Sequence, residues 1–146
     1  MNILRWILVL PAAFAGWLLG IEVGFLIDGL SNITCPKHYQ VSETCAAPWT
    51  PLVAEFAITT GAAVAAVAIV GFTALMAPQW RARVAWLAYG MGALFAVYAA
   101  VEIKAWVPSL AAVIAGAIAA RLLTRRFSQS QREHPRHSGQ AEREPE

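Results

Sequence analysis

Four long apolar segments dominate the hydrophobic pattern of this chain, at residues 6–27, 52–77, 84–101 and 105–120. Each segment is nearly free of charge, and polar residues gather between them. A helix needs about 20 apolar residues to cross roughly 30 Å of hydrocarbon, and Lys104 and Arg121 can extend the short fourth segment by snorkelling. We predict an all-α integral membrane protein with four transmembrane helices in a compact antiparallel bundle, at about 4–27, 52–77, 83–102 and 105–123.

Composition favours the same class. The chain is 58% hydrophobic and only 14% charged, whereas soluble domains carry roughly 25% charged residues. One alternative is a cleavable signal, because Arg5, an apolar run and Ala13-Phe14-Ala15 resemble its parts. The hydrophobic run continues to Ile27, past the point of such a cleavage, and therefore favours a helix that is retained.

The charged residues are sorted unevenly between the two sides of the predicted bundle. All nine arginines fall at the N-terminus, between the second and third helices, or in the C-terminal tail: Arg5, Arg81, Arg83, Arg121, Arg125, Arg126, Arg132, Arg136 and Arg143. By the positive-inside rule both termini are cytoplasmic, and residues 28–51 and 102–104 face outwards. We expect a bacterial cytoplasmic (inner) membrane location. The bilayer accounts for the basic residues, so no nucleic-acid partner is predicted.

Cys35 and Cys45 are the only cysteines, and both lie in the outward loop 28–51. That compartment is oxidising, so we predict a disulfide that closes the loop. With His38 the pair also resembles half of a metal site, but the spacing is irregular and we predict no metal and no cofactor.

The C-terminal tail has few large apolar residues, two prolines and mixed charge. Such a segment cannot bury enough surface to fold alone, and we predict a disordered cytoplasmic tail at 124–146. Its basic start, Arg121, Arg125 and Arg126, is expected to contact anionic lipid headgroups.

Small residues recur four apart in every predicted helix. The glycines of these strips are Gly16, Gly20 and Gly24 in the first helix, Gly61 in the second, Gly92 in the third and Gly116 in the fourth. Such strips let helix backbones approach closely in lipid. We expect them to pack the four helices together, and self-association through the same strips is the alternative.

A set of charged residues is predicted near the outer membrane surface. Glu22 lies about 200° around its helix from Gly20, and about 24 Å along the crossing counted from Trp6. Together with Glu55, Glu102 and Lys104 it forms a possible polar or ion-binding site under the disulfide loop. The alternatives are ordinary interfacial residues, with Lys104 pairing one acid, or contacts to another membrane subunit.

Two resemblances bear on function. The chain is similar to the small multidrug resistance family in having four short helices and an acid, Glu22, in the first. It departs from that family in its strong charge bias, and in the predicted position of Glu22 near the end of its helix. It is also similar to four-helix membrane thiol oxidases with external cysteines, but Cys35 and Cys45 are one widely spaced pair without Cys-x-x-Cys.

Neither family's activity is carried over. We expect a non-enzymatic accessory or interaction subunit that uses its disulfide-closed loop to bind another membrane or periplasmic protein. The alternative function is a small transporter or ion-coupling protein that uses the carboxylates around Glu22.

Overall fold

The structure, a computed structural model, describes residues 7–41, 44–77 and 81–138 and is 86% helical. It contains four helices long and apolar enough to cross a membrane, packed together. They are α1 (Val9–Ile33), α2 (Thr50–Met76), α3 (Arg81–Glu102) and α4 (Trp106–Ser138). The apolar part of α4 extends to Phe127.

Helix α1 ends later than the sequence predicts. It continues through Asp28 to Ile33, because the Nδ2 amide of Asn32 donates to the Asp28 carbonyl oxygen (3.2 Å) inside the last turn. The hydroxyl of Thr34 then donates to the Leu30 carbonyl oxygen (2.9 Å) at the helix end. The connection to α2 is therefore 34–49, shorter than the predicted loop 28–51. The predicted start at residue 4 lies outside the described residues.

Helix α4 also runs further than predicted. It passes residue 123 and continues to Ser138, into the segment for which the sequence predicts disorder. Arg, Gln and Glu are good helix formers, which favours a helical continuation beyond residue 123. Residues 139–146 of the predicted tail lie outside the described residues.

Helix α2 is the centre of the bundle. α1 lies antiparallel along one side of it, and α4 lies parallel to it on another, with α3 antiparallel to both and packed mainly on α4. At one end a core of small side chains joins three helices, with Val70 and Ala74 from α2, Ala85 from α3 and Ala120 from α4.

The outside of the bundle is apolar. Leu10 is 78% exposed, Met91 71% and Leu94 68%, although each is a large hydrophobic side chain. Soluble monomers rarely expose contiguous apolar surface of this kind, so a lipid environment fits the fold.

Candidate functional site

Residues 34–49, which we call the disulfide cap, connect α1 to α2. The predicted disulfide between Cys35 and Cys45 is present, with the two Cα atoms 5.9 Å apart. A short 3₁₀ turn (Lys37–Tyr39) leads into β1 (Gln40–Val41), which pairs antiparallel with β2 (Thr44–Cys45). Residues 42–43 lie outside the described part. The cap thus contains a small two-stranded hairpin.

Two side chains from the helices hold the cap at Cys45. The backbone N–H of Cys45 donates to Oδ1 of Asn32 at the end of α1 (3.2 Å). The hydroxyl of Thr50, at the start of α2, donates to the carbonyl oxygen of Cys45 (3.1 Å). Sequence reasoning missed Asn32 and Thr50; the signal was a polar residue at each helix end that flanks a cysteine-bearing loop.

The cap has a small interior of its own. Cys35, Cys45 and Ala47 are buried, and Tyr39 packs against them. The Tyr39 ring stands edge-on to Trp49 with centroids 5.5 Å apart. Both sulfur atoms are in the disulfide, so in this state they offer no thiolate to a metal ion. Outside this interior the following side chains are exposed: Lys37, His38, Gln40, Val41 and Thr44.

Two of the four predicted polar-site residues share a cavity. Glu55 and Lys104 line a pocket of about 490 Å³ together with Pro51 and Trp106. Lys104 forms the turn between α3 and α4 with a left-handed backbone (φ 54°). Glu102 is exposed at the end of α3. These three residues lie at the end of the bundle that carries the cap.

Glu22 lies deeper. The register of α1 on α2 decides its depth: a Cβ placed on Gly20 meets the Gly61 carbonyl oxygen at 2.5 Å, and one on Gly24 meets the Ala57 carbonyl oxygen at 3.5 Å. Glu22, between these two glycines, is therefore level with Gly61, about 16 Å from the start of α2.

This depth separates Glu22 from the other acids. Glu55 is about 9 Å nearer the start of α2 than Gly61 is. The sequence predicts Glu22 near the outer edge because it ends α1 at Ile27, whereas the helix continues to Ile33 and places Glu22 near its middle. Glu22 is also exposed and faces away from α2. The four predicted residues do not form one site.

The glycines of α1 are where two helices meet. A Cβ on Gly16 comes within 2.7 Å of the Ile69 backbone nitrogen. One on Gly20 collides with the Ala65 side chain, and one on Gly61 comes within 2.7 Å of the Gly20 carbonyl oxygen. We call Gly16, Gly20 and Gly24 the glycine face. This face is covered by α2, so it serves packing between two helices of the same chain.

The other two predicted packing glycines differ from each other. A Cβ on Gly116 of α4 meets the Tyr89 ring at 3.1 Å, so this glycine does pack against α3. A Cβ on Gly92 meets nothing within 4 Å, and Gly92 is exposed. The four-residue spacing places Gly92 in line with the other small residues of α3. In the described structure, however, no neighbouring helix lies close enough to pack against it.

Gly92 instead lines a groove of about 560 Å³ between α1 and α3, with α2 and α4 as its floor. Its walls are almost entirely apolar, and Asp28, Tyr89 and Ser109 supply its polar groups. The volume lies within the range typical of ligand pockets, roughly 300–1,000 Å³.

The predicted headgroup-binding arginines occupy the opposite end of the bundle from the cap. Arg121, Arg125 and Arg126 are all exposed on α4, beyond the buried Ala120. Their long side chains are free to extend along the helix surface towards a polar boundary.

Comparisons of the chain with known protein families, with curated proteins and with solved structures find no match. Among the residues that the structure describes, no group of three His, Cys, Asp or Glu side chains is placed to hold a metal ion. The cap, the glycine face and Glu22 are the features from which a function is argued.

Proposed function

We propose that this chain is a multi-pass protein of a bacterial cytoplasmic membrane, with both termini in the cytoplasm and the disulfide cap outside. In this proposal it is a non-enzymatic accessory subunit, and it binds another membrane protein through the cap. The apolar exterior of the four helices and the confinement of every arginine to one side support the location and the orientation.

The observation that carries the proposal is the fixed conformation of the cap. The disulfide closes it, and the hydrogen bonds of Cys45 with Asn32 and Thr50 join it to both neighbouring helices. A loop that serves only to connect two helices needs none of these constraints. A recognition surface benefits from them, because a segment ordered in advance loses less conformational entropy when it binds.

The size of the cap argues for a partner in the same membrane. One side of a standard protein interface contributes about 20–30 residues, more than the cap contains. Two proteins held in one bilayer have a high effective concentration, so a small interface is sufficient there. The exposed surface suits a protein partner, with polar Lys37 and Gln40 beside Val41, which is 59% exposed.

Site-specific photo-crosslinking in the native host tests this function. A photoreactive residue at Val41 is expected to give one discrete protein adduct, and the same residue at lipid-facing Leu94 is the matched control without a discrete adduct. Substituting both Cys35 and Cys45 by Ser removes about 3 kcal/mol of loop constraint. The Val41 adduct should then decrease several-fold.

The variant Asn32→Ala tests whether the position of the cap matters when its disulfide is intact. It removes the hydrogen bond to Cys45 while the disulfide remains, so the adduct should decrease with the cap still oxidised. No discrete adduct at Val41, or an undiminished adduct in both variants, would show that the cap is not the recognition surface.

A further inference from the structure

The carboxyl group of Glu22 is in an unusual position for a membrane helix. It is exposed near the middle of α1, level with Gly61 of α2, and it points away from α2, the helix against which α1 packs. Ionisable residues within a span almost always face protein or a water-filled cavity, because hydrocarbon solvates them poorly. A partner outside the single chain would supply such an environment on this side of α1.

The helices that the structure describes have no basic residue at this depth. Residues 56–76, 84–101 and 106–120 form the central parts of α2, α3 and α4, and they contain no Asp, Glu, Lys, Arg or His. Within the part of the chain that the structure describes, Glu22 thus has no ion-pair partner at its own level. A second copy in the same orientation brings only another Glu22 to that depth.

The residues around Glu22 follow the spacing of a two-helix interface. Ala15, Glu22 and Gly29 are seven apart, and the intervening residues on this side, Leu18 and Phe25, complete an alternating 4-3 pattern. We call these five residues the outer face of α1. Phe25 is 70% exposed, and a Cβ on Gly29 would meet nothing within 4 Å, so this face is uncovered.

We infer that the outer face of α1 is a dimer interface between two copies of this chain, in which Glu22 pairs with Glu22 of the second copy. The O–H of one carboxyl donates to a carboxyl oxygen of the other, and no proton is transferred. A twofold axis along the membrane normal brings identical residues to identical depth. Small residues one heptad to either side, Ala15 and Gly29, allow the two backbones to approach.

This arrangement differs from self-association through the small-residue strips. The glycine face of α1 is already covered by α2, so it is not available to a second copy. A carboxylic acid both donates and accepts hydrogen bonds, which suits pairing with its own copy. A single polar residue in such a pattern also fixes the register of the two helices.

Cysteine crosslinking in isolated membranes tests the geometry. Single substitutions Ala15→Cys, Leu18→Cys and Phe25→Cys should form disulfide-linked dimers upon mild oxidation, because equivalent residues face each other across the axis. Leu10→Cys lies to the side of this face, so it should remain monomeric. Cys35 and Cys45 do not interfere, since they are bonded to each other.

Energy transfer between labelled copies in liposomes tests the role of Glu22. Glu22→Leu should weaken dimerisation about 3- to 30-fold, the range expected for loss of one interhelical hydrogen bond. Glu22→Gln still donates and accepts, so it should dimerise like the parent chain. Gly29→Leu fills the open space at the interface and should also weaken the dimer, whereas Leu10→Ala should not.

The inference rests on the proposed membrane insertion, and alkaline carbonate extraction distinguishes the two failures. A chain released by carbonate overturns the membrane proposal itself. If the chain is inserted but its crosslinks do not follow the 4-3 pattern of the outer face, the dimer proposal alone is overturned. The same holds if the Glu22→Leu variant dimerises as well as the parent chain. Loss of dimer in Glu22→Gln would indicate an ion pair with a basic partner and would also overturn it.

Discussion

At the scale of single residues, Gly20 is the glycine of α1 at which an added Cβ would come closest to α2. A Cβ at this position would collide with the Ala65 side chain and come within 2.5 Å of the Gly61 carbonyl oxygen. The Gly61 oxygen is part of a helix backbone and cannot rotate away. Any side chain at residue 20 must therefore separate the two helices.

Gly20→Ala is expected to lower the free energy of unfolding by about 1–3 kcal/mol, the usual cost of overpacking. Reversible unfolding in mixed detergent micelles measures it. Gly71→Ala is the matched control in α2, because a Cβ there meets nothing within 4 Å and should cause no loss. Equal stability of the Gly20 variant and the parent chain would contradict the close contact.

Sequence spacing predicts which side of a helix a glycine occupies, but not what lies opposite. It predicts the packing of Gly16, Gly20 and Gly24, and it fails at Gly92, where the neighbouring helix is too far away. Asn32 is missed for a similar reason. Its contact with Cys45 depends on how the chain returns after the disulfide, which the local sequence does not encode.

At the scale of helices and the cap, small side chains decide how closely α2, α3 and α4 pack. Ala74, Ala85 and Ala120 are each fully buried at the end of the bundle away from the cap, in contact with Val70. Alanine at all three positions brings the helices close without any large interlocking side chain. This core tolerates little added volume.

Ala120→Leu adds volume to that core and should destabilise the bundle by about 1–3 kcal/mol. The same micelle unfolding assay measures it, together with the change in fluorescence intensity of Trp86, which follows Ala85 in α3. Ile118→Ala is a suitable control, because Ile118 is 54% exposed on the same helix. A neutral Ala120→Leu variant would show that the three helices can separate at this end at little cost.

The existence of the four helices follows from hydrophobicity alone, and their ends do not. The sequence ends the first helix at Ile27 because a charged residue follows. In the structure the Nδ2 amide of Asn32 donates hydrogen bonds to the carbonyl oxygen of Asp28 (3.2 Å) and to its Oδ2 (3.3 Å), both within the helix. That difference of six residues also moves Glu22 from the predicted outer edge to the middle of α1.

At the scale of the whole molecule, the cap and the end of α4 at Ser138 lie at opposite ends of the bundle. In the orientation that we propose, the four helices cross the membrane, so residues 41 and 138 lie on different sides of it. The positive-inside rule supports placing the arginine-rich end in the cytoplasm.

Labelling with a membrane-impermeant maleimide checks this orientation. Val41→Cys should react in intact spheroplasts, and Ser138→Cys only after permeabilisation. Cys35 and Cys45 provide no background, because their disulfide leaves no free thiol. Labelling of residue 138 from outside, or protection of residue 41, would reverse the proposed orientation.

The packing of α1 mainly on α2 also has a consequence for biosynthesis. Every residue of the glycine face and of the backbone that it touches lies before Met76. A nascent chain that has been translated to that point already contains one complete hairpin, before α3 has emerged from the ribosome. We expect this hairpin to assemble first and to act as the template on which the second half of the protein docks.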